Sequence, residues 1–207
     1  MNNKTGQIAL FVAFLLIAGA ALYYGLSGNS DSNSTSAANV NDRTAQQVQI
    51  LKYSDYQCPA CRDYVPLVKQ LREDYGDMVE INYRHFPLSG FQYSRLASHS
   101  VEAAGEQGHF QEMHDLIFEN QAEWSRGNAP SLFEGYAEQI GLDMEQFRQD
   151  RESDSVAERV EQQRQEGIRR TVNSTPTFFV NGRKLQQNPQ SYEQFKSIVE
   201  LQMYRSN

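Results

Sequence analysis

The 207 residues predict a mixed α/β fold with a long helical insertion, preceded by an N-terminal transmembrane helix. Three observations predict it. A β-branched run ends almost directly at Cys58-Pro59-Ala60-Cys61; strand-like runs recur at residues 79–86 and 177–180; and segments of helical period fill the long interval between those two. At 22% charged and 39% hydrophobic residues, the chain suits one globular domain with something appended. The formal net charge of -7 and the lack of Lys/Arg clusters leave no electrostatic footprint for phosphate backbones, which argues against nucleic acid as a partner.

Residues 8–26 (IALFVAFLLIAGAALYYGL) are uncharged, and as a helix they nearly match a hydrocarbon core of about 30 Å. Lys4 is the only charge ahead of them, whereas Asp31 follows and no basic residue appears until Arg43. The positive-inside bias therefore leaves residues 1–7 in the cytoplasm and exports the rest. The competing reading is a cleavable signal peptide with Ala18-Gly19-Ala20 at the cleavage site, but the apolar run continues past it through Leu26. Either reading places the domain outside the cytoplasm. Residues 27–46 are rich in Ser and Asn, carry too little apolar surface to fold, and read as a flexible tether. The folded domain is expected over residues 47–207.

Residues 48–53 (VQILKY) have the β-branched bias of a strand, so the cysteines lie just past a strand end. Pro59 suits the first helical position, and Tyr64, Val68, Leu71 and Tyr75 recur at helical spacing, with a kink expected at Pro66. A second strand, residues 79–86 (VEINYRHF), stops at Pro87. Helices follow around residues 94–104, 110–120, 131–140, 144–149 and 155–168, forming an insertion over about 94–168. Capping boxes are expected at Ser131 with Glu134, Asp143 with Gln146, and Ser155 with Glu158. Strand character returns at residues 177–180 (TFFV). Asn181-Gly182 signals a type I′ hairpin into residues 183–185, and Ser191 with Gln194 opens a last amphipathic helix.

The two cysteines are the only ones in the chain, so each thiol has only the other as a partner. A thiolate at a helix N-terminus is stabilised by the macrodipole and free backbone N–H groups, which makes Cys58 the expected reactive thiol. Cys61, one turn inward on the packed side, is the expected resolving thiol, placed to attack a mixed disulfide formed at Cys58. Such exchange requires neither a metal nor an organic cofactor. A structural zinc site lacks a second pair of ligands at suitable spacing, and His85, His99, His109 and His114 read as surface or core histidines. A purely structural disulfide across so short a loop adds little constraint on the unfolded chain.

The order strand, CxxC helix, strand, helical insertion, Thr-Pro, hairpin and helix resembles the DsbA-like family of thioredoxin-fold oxidoreductases, membrane-anchored bacterial type. The residues that carry the resemblance are YSDYQCPAC (53–61), YRHFPL (83–88), HFQEMHDLIFENQ (109–121) and STPTFFVNGRKL (174–185). The resemblance implies that Pro176 is a cis-proline beside the two sulfurs, and that the backbone of Thr175 pairs with an extended substrate segment alongside Pro59 and Ala60. It also implies exported, reduced or unfolded proteins as substrates and a membrane partner that reoxidises the dithiol. One departure concerns Lys52, six residues before Cys58, where relatives carry an acidic residue. If Lys52 faces the pair, it is a cationic modulator that favours thiolate; if strand alternation turns it outward, it is a solvated lysine. The expected activity is oxidation of dithiols in exported proteins. The rivals are a reductase or isomerase on the same fold, and a redox-inactive binding or chaperone module.

Overall fold

The computed structural model describes residues 45–205; the segment 8–26 and most of the tether lie outside the described residues. Four strands form one mixed sheet in the order β2-β1-β3-β4. β1 (Val48–Ser54) lies parallel to β2 (Val79–His85) and antiparallel to β3 (Thr177–Val180), which turns into β4 (Arg183–Lys184). Each strand lies within one residue of its sequence expectation at either end. A parallel β1–β2 pair requires a crossover, and the helical segment that starts at the cysteines supplies it. The hairpin turn has positive φ at both Asn181 (46°) and Gly182 (77°), as a type I′ turn demands. Asn181 also ties the turn to β1, because its Oδ1 accepts from the Gln49 N–H and its own N–H donates to the Gln49 carbonyl, both at 2.8 Å.

The expected kink takes the form of a break. α1 (Pro59–Asp63) stops at Tyr64, and α2 (Val65–Tyr75) restarts with Pro66 in its first turn, where the ring meets no preceding helical carbonyl. The insertion comprises α3 (Ser94–Glu106), α4 (Phe110–Glu119), α5 (Gln121–Trp124), α6 (Ala129–Gln139), α7 (Met144–Glu152) and α8 (Asp154–Arg169). The short α5 carries no periodic signal of its own. α9 (Tyr192–Met203) closes the domain.

Two capping expectations hold and two are corrected. Asp143 Oδ1 accepts from the Gln146 N–H at 3.0 Å, and Ser191 Oγ accepts from the Gln194 N–H at 3.3 Å. Ser131 is not a cap: α6 begins two residues earlier behind Asn128 in the left-handed region (φ 60°), with Pro130 in the first turn, and Glu134 instead meets Arg148 and Arg151. Ser155 is likewise inside its helix, because Ser153 Oγ takes the Val156 N–H at 3.3 Å.

The packing has three parts. One face of the sheet, with Val48, Ile50, Phe178 and Val180, packs against α2 and α9 through Val68, Leu71, Phe195 and Val199. The other face carries Tyr53 and Phe179, which pack with Phe86 and Val172. The insertion has its own core around Trp124, Phe118, Phe133 and Phe147, and that core takes in Tyr56 and both cysteines. Trp124, fully buried, satisfies its indole N–H on the Ile117 carbonyl at 2.6 Å. The CxxC therefore sits where the sheet's end meets the insertion.

Candidate active site

β1 delivers the chain to a loop organised by Asp55, which is fully buried. Its Oδ1 accepts from the Gln57 N–H at 2.7 Å and from the Ser94 hydroxyl, and its Oδ2 accepts from the Leu88 N–H at 2.7 Å. One carboxylate thus joins the end of β1, the segment after β2 and the start of α3. Burial pushes the Asp55 pKa up, and these donors oppose the rise. The Asp55 carbonyl accepts from the Cys58 N–H at 3.2 Å, leaving Cys58 in extended conformation as the N-cap of α1.

The two sulfurs have different surroundings. Cys58 is 8% exposed and its Sγ lies 3.5 Å from the Thr175 carbonyl, whereas Cys61 is fully buried and its Sγ accepts from the Asp55 N–H at 3.5 Å. The Cys61 thiol donates to the Cys58 sulfur and is the main reason that the Cys58 pKa is lowered to about 6. Burial opposes the shift, and Thr175 and the Cys61 N–H support it. Burial drives Cys61 the other way, well above the ordinary thiol value, reinforced by the neighbouring Cys58 and opposed by the charge of Lys52.

Each residue singled out from the sequence lies at this locus. Pro59 and Ala60 are exposed on the rim beside Cys58. The Thr175–Pro176 bond is cis, and the Pro176 carbonyl accepts from Asn188 Nδ2 at 2.7 Å. Lys52 resolves to the inward alternative. It shares the face of Val48 and Ile50, is fully buried, and donates from Nζ to the Cys61 carbonyl at 3.4 Å, with its ammonium 5.2 Å from the Phe118 ring centre and 6.0 Å from that of Tyr83. Burial lowers its pKa to about 8, with Cys61, Cys58 and Asp115 pulling it back up.

Sequence reasoning missed three contributors. Asp55 is one. Gln121 of α5 is another: its buried Nε2 donates to the Tyr56 carbonyl at 2.6 Å and to the Cys58 carbonyl at 2.9 Å. The third is the α4 pair His114 and Asp115, joined Nδ1 to Oδ1 at 2.9 Å, with His114 packed on Tyr56, Tyr83 and Phe118. The motif HFQEMHDLIFENQ contains the α4 pair and Gln121, but no spacing rule assigns any of them to a loop more than fifty residues upstream. Of the other histidines, His85 is buried with its Nε2 2.8 Å from Glu102 Oε1. Among the described residues no group of three or more His, Cys, Asp or Glu side chains could hold a metal ion.

Residues 42–201 match the family model described as thioredoxin. Among curated relatives, the Na(+)/H(+) antiporter NhaA 1 of Salinispora arenicola is 37% identical over 138 residues, which cover 66% of this chain and 20% of the relative. The chain thus spans about a fifth of the length of the curated relatives it matches. Among solved structures, a thioredoxin-like oxidoreductase from Silicibacter pomeroyi superposes with a TM-score of 0.66 at 24% identity, covering 78% of this chain and 90% of the other. Wolbachia pipientis alpha-DsbA1 superposes with a TM-score of 0.67 at 16% identity, covering 77% and 86%.

Proposed function

The chain belongs to the thioredoxin family, and from that premise, together with its resemblance to DsbA-like oxidoreductases, we propose that it is an extracytoplasmic thiol-disulfide oxidoreductase that introduces disulfides into exported proteins. The observation that carries the reading is the placement of the pair: Cys58 is the N-cap of α1 with its Sγ 3.5 Å from the Thr175 carbonyl before a cis proline, and Cys61 is fully buried behind it, an arrangement that lowers the Cys58 pKa and raises that of Cys61. Interactions that stabilise the Cys58 thiolate stabilise the reduced protein, and a reduced form so favoured makes the disulfide a stronger oxidant.

In this reading a substrate thiolate attacks Cys58 Sγ. A bond forms between the substrate sulfur and Cys58, the Cys58–Cys61 bond breaks, and its electron pair goes to Cys61. A second substrate thiolate then attacks the substrate sulfur of the mixed disulfide, closing the substrate disulfide and releasing Cys58 as thiolate. The substrate loses two electrons and the protein gains them. The exposed Pro59 and Ala60 and the backbone at Thr175 line the approach to Cys58, where an extended, reduced chain is the proposed occupant. A membrane redox partner is the proposed acceptor of the two electrons. The apolar segment 8–26 supports a single-pass anchor in the bacterial cell membrane with the domain outside, or a periplasmic or secreted domain if the segment is cleaved.

The test is the Cys58–Cys61 reduction potential, measured by equilibrating the protein in glutathione buffers. A value well above thioredoxin's roughly -270 mV, towards DsbA's roughly -120 mV, supports dithiol oxidation. A value at or below thioredoxin's overturns that direction in favour of a reductase. Failure of a Cys61→Ala variant to trap any substrate as a mixed disulfide points instead to a binding module without exchange chemistry.

A further inference from the structure

We propose that Lys184 is a positioning residue for polypeptide substrates: by holding the carbonyl of Thr171 in a left-handed turn, it fixes the loop that presents the Thr175 backbone beside Cys58. The inference rests on the exchange reaction proposed above and assigns what prepares its site for an extended chain.

Residues 171–176 join α8 to β3. α8 ends in a Schellman motif, in which the Thr171 N–H donates to the Ile168 carbonyl at 3.0 Å and the Val172 N–H to the Gly167 carbonyl at 2.8 Å. Val172 is buried against Tyr53, Phe86 and Phe179, the apolar contact that such a turn commonly makes. The turn needs a residue with positive φ, which glycine or asparagine ordinarily supplies. Here the residue is Thr171, at φ 58°. Among the described residues the other non-glycine positions with positive φ are Asn128 and Asn181, whose side chains tolerate that region. A β-branched residue there is a steric outlier, and such strain persists only where the surroundings over-determine it.

Lys184 supplies that constraint from β4. Its Nζ donates to the Thr171 carbonyl at 2.6 Å, which sets the peptide plane between Thr171 and Val172 and so the direction in which the chain leaves α8. A cationic donor on a carbonyl at a helix C-terminus is favoured both by its charge and by the macrodipole. The same arm of the chain holds the loop's other end, where Asn188 Nδ2 donates to the Pro176 carbonyl at 2.7 Å. β3 is then fixed by its pairing with β1 from Thr177 onward. Between the two ends Asn173 and Ser174 are exposed, and the Thr175 carbonyl lies 3.5 Å from Cys58 Sγ.

A polypeptide that pairs with the Thr175 backbone needs this loop in place before it binds, whereas a small thiol that meets Cys58 alone does not. A loop ordered in advance removes that cost from polypeptide capture. The sulfur chemistry is left alone, because neither Lys184 nor Thr171 is among the groups that set the two thiols. Glycine enters the left-handed region without steric cost, so the two positions are coupled: the clamp at Lys184 matters while residue 171 is β-branched and loses its purpose when that residue is glycine.

The experiment mixes the oxidised full-length protein with either of two reductants, an unstructured synthetic peptide carrying a cysteine pair or dithiothreitol, and follows disulfide transfer against the concentration of each. Lys184→Met is expected to raise the half-saturating peptide concentration about tenfold, the worth of one charge-assisted hydrogen bond. The limiting rate, the dithiothreitol rate and the Cys58–Cys61 potential are expected to stay at their wild-type values. Lys184→Arg keeps a cationic donor and is expected to recover most of the loss. Thr171→Gly, added to Lys184→Met, is expected to bring peptide capture back towards wild type. A Lys184→Met protein that captures the peptide as wild type does overturns the proposal. So does equal slowing with both reductants, which assigns a general structural role instead, and so does a double variant as impaired as Lys184→Met, which removes the turn from the argument. If wild type transfers its disulfide to neither reductant, the functional reading falls and this inference falls with it; if wild type serves both and the variants behave alike, only the role of Lys184 falls.

Discussion

The side-chain amide of Gln121 donates to the Cys58 carbonyl at 2.9 Å, joining the shortest helix of the insertion to the residue that carries the less buried sulfur. The same nitrogen reaches the Tyr56 carbonyl at 2.6 Å. The loop before the CxxC is thus held by Asp55 from below and by Gln121 from the insertion.

Gln121→Leu leaves the buried Tyr56 carbonyl without that donor, whereas the Cys58 carbonyl keeps the N–H of Cys61 at 3.1 Å and of Arg62 at 3.4 Å. A buried acceptor left unsatisfied costs about 1–3 kcal/mol. Chemical denaturation of the reduced protein is expected to register that loss. No change in the midpoint would mean that the loop is held without the insertion.

The unequal thiols predict a break in the pH dependence of the potential. Below about pH 6 both sulfurs of the reduced protein carry protons; above it Cys58 is thiolate and Cys61 alone holds one. The slope should change from about 60 mV to about 30 mV per pH unit on passing that point, before Lys52 titrates. Ultraviolet absorbance of the thiolate is expected to rise through the same pH. A slope of about 60 mV persisting to neutral pH would contradict the low Cys58 pKa.

Glu102 ties the insertion to β2. Its carboxylate meets His85 Nε2 at 2.8 Å and Arg159 Nη1 at 2.8 Å. Burial raises its pKa, but the two partners more than reverse this and bring it to about 2, against an ordinary value of 4.5. A folded-state pKa below the unfolded one gives stability that is present above about pH 4.5 and lost as pH falls through about 2. Glu102→Gln is expected to cost about 2–3 kcal/mol at neutral pH and to flatten the acid limb of a stability profile. Thermal unfolding across that range decides it.

Much of this was legible in the residues. Strands, the helix at Pro59, the hairpin at Asn181-Gly182 and the caps at Asp143 and Ser191 follow from short-range patterns, because the forces that form them act within a few residues. The orientation of Lys52 was not legible. Alternation tells inside from outside only where one face is wet, and β1 is central, with its last residues buried on both faces. Ser131 and Ser155 satisfy the capping-box spacing, yet Asn128 with Pro130, and Ser153, start those helices earlier. Asp55 and Gln121 act through partners 33 to 65 positions away, and no local pattern encodes such a bond.

Gly167 in α8 offers a test in which two effects have opposite signs. Alanine in a helix interior is favoured over glycine by up to about 1 kcal/mol. A Cβ at Gly167, however, meets Phe86 at 2.7 Å and Tyr53 at 3.0 Å, and both rings are packed with Phe179 and Val172. Overpacking of this kind costs about 1–3 kcal/mol. Gly167→Ala is therefore expected to lower the melting temperature, and a rise would mean that α8 can shift away from the sheet.

The sheet's two borders bear on how the domain avoids pairing with stray extended chains. A bare strand border is a template on which a stray extended segment can add and seed a cross-β aggregate. At one border, β4 is two residues long, Arg183 and Lys184, and the Lys184 ammonium is engaged with the Thr171 carbonyl at 2.6 Å. At the other, Gln163 of α8 takes the His85 N–H of β2 at 2.7 Å, and Arg84 is drawn to Glu166 of the same helix. One border is thus too short and too charged to template a neighbour, and the other is blunted at its C-terminal end by a helix that takes the His85 N–H. The fold thus offers neither border of its own sheet as a nucleus for aggregation.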